Sequence, residues 1–323
     1  MIRYIIKRIL LMIPVVLGVI FIVYGLISIA PGDPTATALS PNATEEEREA
    51  WREEQGLNDP FLLQYVKYVY KLFIKGDFGK SYSTKISVAD EIWARLPKTL
   101  SVALLSVVVA QLVGIPIGIL SAVKQYSAAD NIVMILALIG VSLPSFWTGL
   151  MLSIIFALKL GWLPASGLYG PQYYVLPVIT LSLCGMAVAA RMTRSSMLDV
   201  IRQDYITTAR AKGVSGRSVI FKHALRNAWI PILTQIGTGV CALLGGAVVS
   251  EMVFAIPGIG TYMTQSISKY DYPCLLGSVV VVSVTASIIL LLLDLSYALV
   301  DPRIRGQYQT HKPSQKKKAE VTA

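Results

Sequence analysis

The chain has 323 residues, of which 54% are hydrophobic and only 15% charged, and its mean hydropathy is +0.60. Soluble domains carry about 25% charged residues, so this composition excludes a water-soluble globular protein, a disordered chain and a nucleic-acid-binding module, despite a net charge of +10. Three cysteines set in apolar segments and two histidines give no basis for a disulfide framework or a histidine-rich metal site.

A bilayer core about 30 Å thick is crossed by about 20 apolar helical residues. Six stretches fit: 9–30, 99–123, 132–158, 173–190, 229–253 and 275–300. The first follows Arg3, Lys7 and Arg8 and ends in Ser28-Ile29-Ala30, as a signal peptide would. It is longer than the 7–15 apolar residues of a signal core, so it is read as a retained span.

Residues 31–98 form the one sizeable segment between the first two spans. Thr44-Glu45-Glu46-Glu47 fits a capping box and Gly56 a helix stop. Asp59-Pro60 opens a second helix, with Pro tolerated at its first position. There Lys67, Lys71 and Lys75 share one face and Leu63, Val66, Tyr70 and Phe73 another, at helical period. Two helices lying on the membrane or packed on the spans are the plainer expectation, and a docking platform for an external partner the sharper one. Gly79-Lys80-Ser81 resembles the end of a phosphate-binding loop, but Ile74 occupies the position of its first glycine. The expectation is that the chain has no nucleotide site of its own.

Further along, Gly114-x-x-x-Gly118 suits close helix packing. Ser142-Leu143-Pro144-Ser145-Phe146-Trp147 breaks the third span, because proline removes a helical hydrogen bond. Such a break sits where protein or a water-filled cavity meets the freed carbonyl, so Ser142, Pro144 and Phe146 are candidate pathway residues beside the reading as a simple kink. Arg191, Arg194 and Asp294 are expected to be interfacial anchors. Glu251 precedes a Pro/Gly-broken stretch with Phe254, Pro257 and Gly258, and these four are candidates for an outer gate. Between spans four and five, residues 198–228 read as a short helix, a break at Gly213 and a second amphipathic helix. Ala209, Ala211 and Gly213 give it a small-residue edge flanked by basic residues.

Charge sets the orientation. Cytoplasmic loops collect Lys and Arg. Arg3, Lys7 and Arg8 precede the first span, six basic residues lie in 198–228 and six in 301–323, whereas the loops after spans three and five carry Lys159 and Lys269 alone. Both termini are therefore expected inside, 31–98 outside and 198–228 in the cytoplasm, with the basic excess also touching anionic lipid. Residues 307–323, with Lys316-Lys317-Lys318, read as a disordered basic tail. No paired carboxylates in a span, no His-Glu-x-x-His and no nucleophile–base arrangement is present, which ranks a membrane-embedded enzyme lowest.

The 198–228 elbow resembles the cytoplasmic loop of permease subunits in binding-protein-dependent ABC importers. The family motif is Glu-Ala-Ala, three residues, then Gly. Here Thr207-Thr208-Ala209 stands in its place with Gly213 at the family spacing, the Glu being absent and the later Leu-Pro reading Leu225-Arg226. Other segments resemble the dipeptide/oligopeptide/nickel branch: Ala30-Pro31-Gly32-Asp33-Pro34, Gly76-Asp77-Phe78-Gly79, Arg95-Leu96-Pro97-x-Thr99-Leu100, Pro144-x-Phe146-Trp147-x-Gly149, Glu251-x-Val253-Phe254-x-x-Pro257-Gly258-x-Gly260 and Asp301-Pro302-Arg303-Ile304-Arg305.

The resemblance implies an all-α integral membrane protein of the type I ABC importer permease kind, with six transmembrane helices, both termini inside and a helical extracytoplasmic insert after helix 1. It implies a permease domain at 1–306 in a bacterial or archaeal cytoplasmic membrane. The implied partners are a second homologous permease, two ATPase subunits that bind ATP and Mg²⁺, and an extracytoplasmic solute-binding protein. No cofactor is implied in this chain and no nucleic acid. Asp204, Thr207, Thr208, Ala209, Arg210, Ala211 and Gly213 would form the ATPase-coupling segment. The implied cargo is a di- or oligopeptide, with a nickel chelate as the alternative within the family and an ion-coupled secondary transporter as the alternative outside it.

Overall fold

A computed structural model describes residues 2–300 of the chain, so the 301–305 motif and the 307–323 tail lie outside the described residues. The described residues are helical, with an isolated bridge between Lys80 and Ser87 as their sole β contact. In order they form α1 (Ile2–Ile29), α2 (Thr35–Ala38), α3 (Glu45–Gln55), α4 (Phe61–Lys75), α5 (Val88–Val123), α6 (Ala128–Ser142) and α7 (Ser145–Leu152), which widens into a π-helix at Ser153–Lys159. Then come α8 (Gln172–Ile201), α9 (Asp204–Ala211), α10 (Gly216–Ser218), a π-helical stretch Val219–Leu225 that merges into α11 (Arg226–Val253), α12 (Ile259–Ser268) and α13 (Tyr272–Val300).

Five segments are long and apolar enough to cross a bilayer: Arg8–Ile29, Val88–Val123, Gln172–Ile201, Gly216–Gly245 and Tyr272–Tyr297. The expected third span is not a straight rod. It is the pair α6–α7, bent by 98°. Leu143 and Pro144 have extended backbone, as expected where proline disfavours helix in the residue before it. The pair makes a sixth crossing when taken as one broken span.

Small residues decide how the bundle closes. A Cβ at Gly114 would come 2.7 Å from the Met186 carbonyl oxygen and one at Gly118 2.5 Å from that of Ala190. These glycines let α5 lie against the backbone of α8, which is the packing the Gly-x-x-x-Gly spacing predicts. At the 121–130 corner, Asp130 is buried. Arg194 donates to both its carboxylate oxygens from Nε and Nη2 at 2.7 and 2.8 Å, and Ser121 and the Tyr126 amide also donate to it. The expectation that Arg194 is a free interfacial anchor is therefore corrected: it ties α8 to the start of α6. Asp294 likewise pairs with Arg8 at 3.0 Å, joining α13 to α1.

The insert forms the expected two helices. Thr44 and Glu47 make a reciprocal capping box at the start of α3, and Gly56 ends it in the left-handed region at φ +71°. The insert is stapled to the bundle at Asp271, which is buried and accepts hydrogen bonds from the Ser81 hydroxyl (2.6 Å) and the amides of Tyr82 (3.0 Å) and Ser83 (3.2 Å). Phe78 packs on Val88, Ile92 and Val280. Asp33 accepts from the Thr35 amide at 2.9 Å and from Arg52 at 2.6 Å. Partial burial opposes its charge, but these hydrogen bonds win and hold its pKa down at about 2.

Two predictions follow from this packing. Asp130→Ala leaves the Arg194 guanidinium unpaired. Breaking a buried pair costs about 3–5 kcal/mol, so the melting temperature of the detergent-solubilised chain should fall clearly, and by more than for Asp294→Ala, whose partner Arg8 is 44% exposed. Asp33 has a depressed pKa, so its stabilisation is present above the ordinary carboxylate range and is lost as pH falls toward 2. Asp33→Asn should shrink the loss of melting temperature between pH 5 and pH 2, by a small amount because the pair is partly solvent-screened.

Candidate functional site

Two regions hold the residues singled out by sequence, at opposite ends of the bundle. At one end, α9 is an eight-residue helix with one buried side chain, Ile206. Ile206 is fully enclosed by a core of Ile119 and Ala122 from α5, Met197 and Leu198 from α8, and Val219, Ala224, Ala228 and Ile232 from the π-helix and α11. Displacing α9 must therefore load three membrane helices together, because close-packed interiors transmit strain. The reading of 198–228 did not single out Ile206. Its signal was an apolar residue alone among polar neighbours, with its companions 8 to 87 residues away.

The rest of α9 faces outward. Asp204, Thr207, Thr208, Arg210 and Ala211 are exposed and Ala209 is half-buried. Tyr205 and Phe221 add two exposed aromatic rings, 46% and 57% accessible. Gly213 follows at φ +77° with open space where a Cβ would project. The glycine is thus needed for its backbone conformation, in which the Val214 amide donates back to the Ala209 carbonyl and closes the helix. Beyond it the expected second helix begins at Gly216 and has no break before the fifth span. It coils through α10 and the π-turns straight into α11, so the elbow is rigidly continuous with a membrane helix.

At the other end, Glu251 is buried and its carboxylate is enclosed by polar donors. Thr99 Oγ1 donates to Oε1 at 2.5 Å, the Thr261 amide donates to Oε2 at 2.9 Å, and the Ile259 amide donates to Thr99 Oγ1 at 2.9 Å. The first amides of a helix lack intrahelical partners and favour negative charge. Glu251 meets that need for α12 from the preceding helix. A Cβ at Gly258 would overlap the Glu251 carboxylate, and one at Gly260 would come 2.6 Å from Val248 Cα. The spacing Glu251…Gly258-x-Gly260 thus encodes a carboxylate folded into a glycine-lined turn.

Phe254 is buried with Val102, Leu176, Leu181 and Ile256. Gly149 of the broken third span abuts its ring, since a Cβ there would lie 3.3 Å from Phe254 Cε2. The two sequence segments noted separately, 144–149 and 251–260, therefore meet. Ser142, Pro144 and Phe146 are not part of that enclosed cluster: they lie on the exposed side of the break, as does Pro257 at the tip of its turn. Among the described residues there is no group of His, Cys, Asp and Glu able to hold a metal ion.

Comparison with known proteins matches two family models. "Binding-protein-dependent transport system inner membrane component" covers residues 114–306, and the corresponding N-terminal family covers 1–103. The chain is 39% identical over 315 residues to the oligopeptide transport system permease protein AppB of Bacillus subtilis, spanning 94% of this chain and 99% of that one. It is 39% identical over 333 residues to the dipeptide transport system permease protein DppB of Alkalihalophilus pseudofirmus, spanning 94% and 100%. It is 39% identical over 305 residues to the glutathione transport system permease protein GsiC of Escherichia coli K12, spanning 94% and 99%. Among solved structures, an inward-facing MetNI methionine ABC transporter is similar in fold, with a TM-score of 0.55 at 19% identity over 66% of this chain and 96% of that one.

Glu251→Ala should leave the Thr99 hydroxyl and the Thr261 amide without their acceptor and lower thermal stability by about 1–3 kcal/mol. Gly258→Val should do the same by displacing the carboxylate. A melting curve for either variant that overlays the wild type removes the capping role.

Proposed function

Because the chain belongs to the family of binding-protein-dependent transport system inner membrane components, we propose that it is one of two paired permease subunits of an ATP-driven peptide importer. It is a membrane transport component and not an enzyme. In this reading residues 1–306 are the permease domain, both termini and 198–228 face the cytoplasm, and 31–98 face outward. The asymmetry of basic residues supports that orientation, and the end of the family match at residue 306 supports that boundary. Relatives named for oligopeptides, dipeptides and glutathione support a peptide cargo over a nickel chelate.

The observation that carries the proposal is the elbow. A helix with all but one side chain turned outward, plus two exposed aromatic rings, is a docking face, and aromatic side chains are common anchors at protein interfaces. In the proposal Asp204, Thr207, Thr208, Ala209, Arg210, Ala211 and Gly213 seat in a groove of an ATPase subunit that holds ATP and Mg²⁺. Closure of the ATPases pushes Ile206 against the ends of α5, α8 and α11. A ligand shifts a two-state equilibrium only by its difference in affinity for the two states, so the ATPases must grip the elbow unequally in its inward-open and outward-open positions. The exposed break at Ser142, Pro144 and Phe146 lines the pathway. The turn holding Glu251, Phe254, Pro257 and Gly258 is the rigid outer gate, and a solute-binding protein delivers cargo above it.

The test separates backbone from bulk at Gly213. Gly213→Asn keeps a residue that tolerates positive φ, whereas Gly213→Val does not. Peptide uptake by the complete complex should survive in the first variant. In the second it should fall at least tenfold while ATP hydrolysis and membrane insertion persist. Normal uptake in Gly213→Val, or uphill accumulation by this chain in vesicles without companion subunits, overturns the proposal.

A further inference from the structure

Helix α4 has two apolar faces. Phe61, Tyr65, Tyr68, Val69 and Leu72 turn inward onto the bundle. Leu62, Leu63, Val66, Tyr70, Phe73 and Ile74 turn outward and are exposed, Leu62 and Ile74 by 65% and 69%. At about 100° per residue these six occupy one arc of about 120° that adjoins the packed face, and the arc contains no charge. The Leu63, Val66, Tyr70 and Phe73 face, expected from sequence to lie on the membrane or to pack on the spans, is therefore the outward one. An amphipathic helix in water presents polar residues outward, as α3 does with Glu46, Glu49, Glu53 and Glu54 exposed.

The position of α4 supplies the reason. Its inner face descends along the outer half of the first membrane span. Phe61 lies 3.9 Å from where a Cβ of Gly25 would be, Tyr65 donates to the Leu17 carbonyl at 3.1 Å, and Leu72 packs with Val16 and Ile20. Counted back from Ile29, the outer end of that span, Gly25 is about 6 Å and Ile20 about 13 Å along the helix at about 1.5 Å per residue. The packed part of α4 thus lies below the end of the span. Its outward arc continues the surface of α1 that exposes Phe21, Ile22 and Leu26.

The lysines complete the pattern. Lys67 and Lys71 line a cavity of about 890 Å³ shared with Asp33, Arg52, Lys80 and Lys85. Lys67 also pairs with Asp59 at 2.5 Å. They have polar surroundings on the flank of the helix, and Lys75 reaches over the Tyr70 ring at 5.9 Å from its centroid, which is how long cationic side chains behave at a membrane boundary.

We infer that α4 is seated in the outer leaflet of the bilayer, its Leu62–Ile74 arc against acyl chains, so that the insert is anchored by lipid as well as by Asp271. The occupant is lipid because the arc is continuous with a membrane-spanning surface and carries no charged group to pair with a protein, its one polar atom being the Tyr70 hydroxyl.

Single spin labels test this in the assembled complex, reconstituted without binding protein in nanodiscs of phosphatidylethanolamine and phosphatidylglycerol. Leu62→Cys, Val66→Cys and Phe73→Cys are placed in a Cys184→Ser/Cys241→Ser background, with Glu54→Cys on α3 as the water-facing control. Relaxation by dioxygen should exceed relaxation by a water-soluble nickel chelate at all three α4 positions, most strongly at Phe73, with the order reversed at Glu54. Dominant relaxation by the chelate on α4 overturns the inference, since the face is then in water. Protection from both reagents also overturns it, since a protein then covers the face. The choice of the outer leaflet rests on the orientation in the importer proposal, but the readout needs no transport assay, so failure of this inference is distinguishable from failure of that one.

Discussion

The constraint beneath this architecture is that a polar group carried into an apolar bundle must find its partner within the protein. An ionised group left alone in hydrocarbon costs about 3 kcal/mol or more, and an unpaired peptide group costs several. The chain meets this at three corners. Asp130 receives Arg194, Ser121 and the Tyr126 amide; Glu251 receives Thr99 and the Thr261 amide; Asp271 receives Ser81 and the amides of Tyr82 and Ser83. In each case one carboxylate joins segments far apart in sequence, so the polar groups that lipid penalises become the bolts between helices.

Those bolts tie the segments at both ends of the bundle. The turn at Glu251 fixes α12 on α5 and α11, and Asp271 fixes the insert on the start of α13. At the opposite end Asp130 locks α6 to α8, and Ile206 joins α9 to α5, α8 and α11. A push on α9 meets a packed core and not a loose loop. That is what the proposed coupling to ATPase subunits requires. The third span bends between these ends at Leu143 and Pro144, where one helical ladder finishes with the Leu143 amide on the Ile139 carbonyl and the next begins with the Thr148 amide on the Pro144 carbonyl.

The same logic places the insert. Water-facing α3 is built from acidic residues and capped at both ends by its own side chains and glycine. Helix α4 instead has two adjoining apolar faces, one on the bundle and one exposed, which suits the proposed seat between protein and lipid. In the proposed arrangement, lipid on one side and the Asp271 staple on the other hold the insert at a fixed height on the bundle.

Sequence alone determined what depends on local pattern. Apolar runs gave the spans, because helix length must match bilayer thickness. Thr44, Glu47 and Gly56 gave the ends of α3, because caps are satisfied within a few residues. Pro144 gave the break in the third span, and Gly213 the end of the elbow helix. What only the tertiary structure decided depends on residues distant in the chain. Arg194 read as an anchor because Asp130 is 64 residues away; Glu251 read as a lone carboxylate because Thr99 is 152 residues away. Helical period found the outward face of α4 but not its direction, since periodicity reports that a face is apolar and not whether protein or lipid covers it. Ile206 was invisible as a transmission point for the same reason: burial is a property of the neighbours that folding brings together.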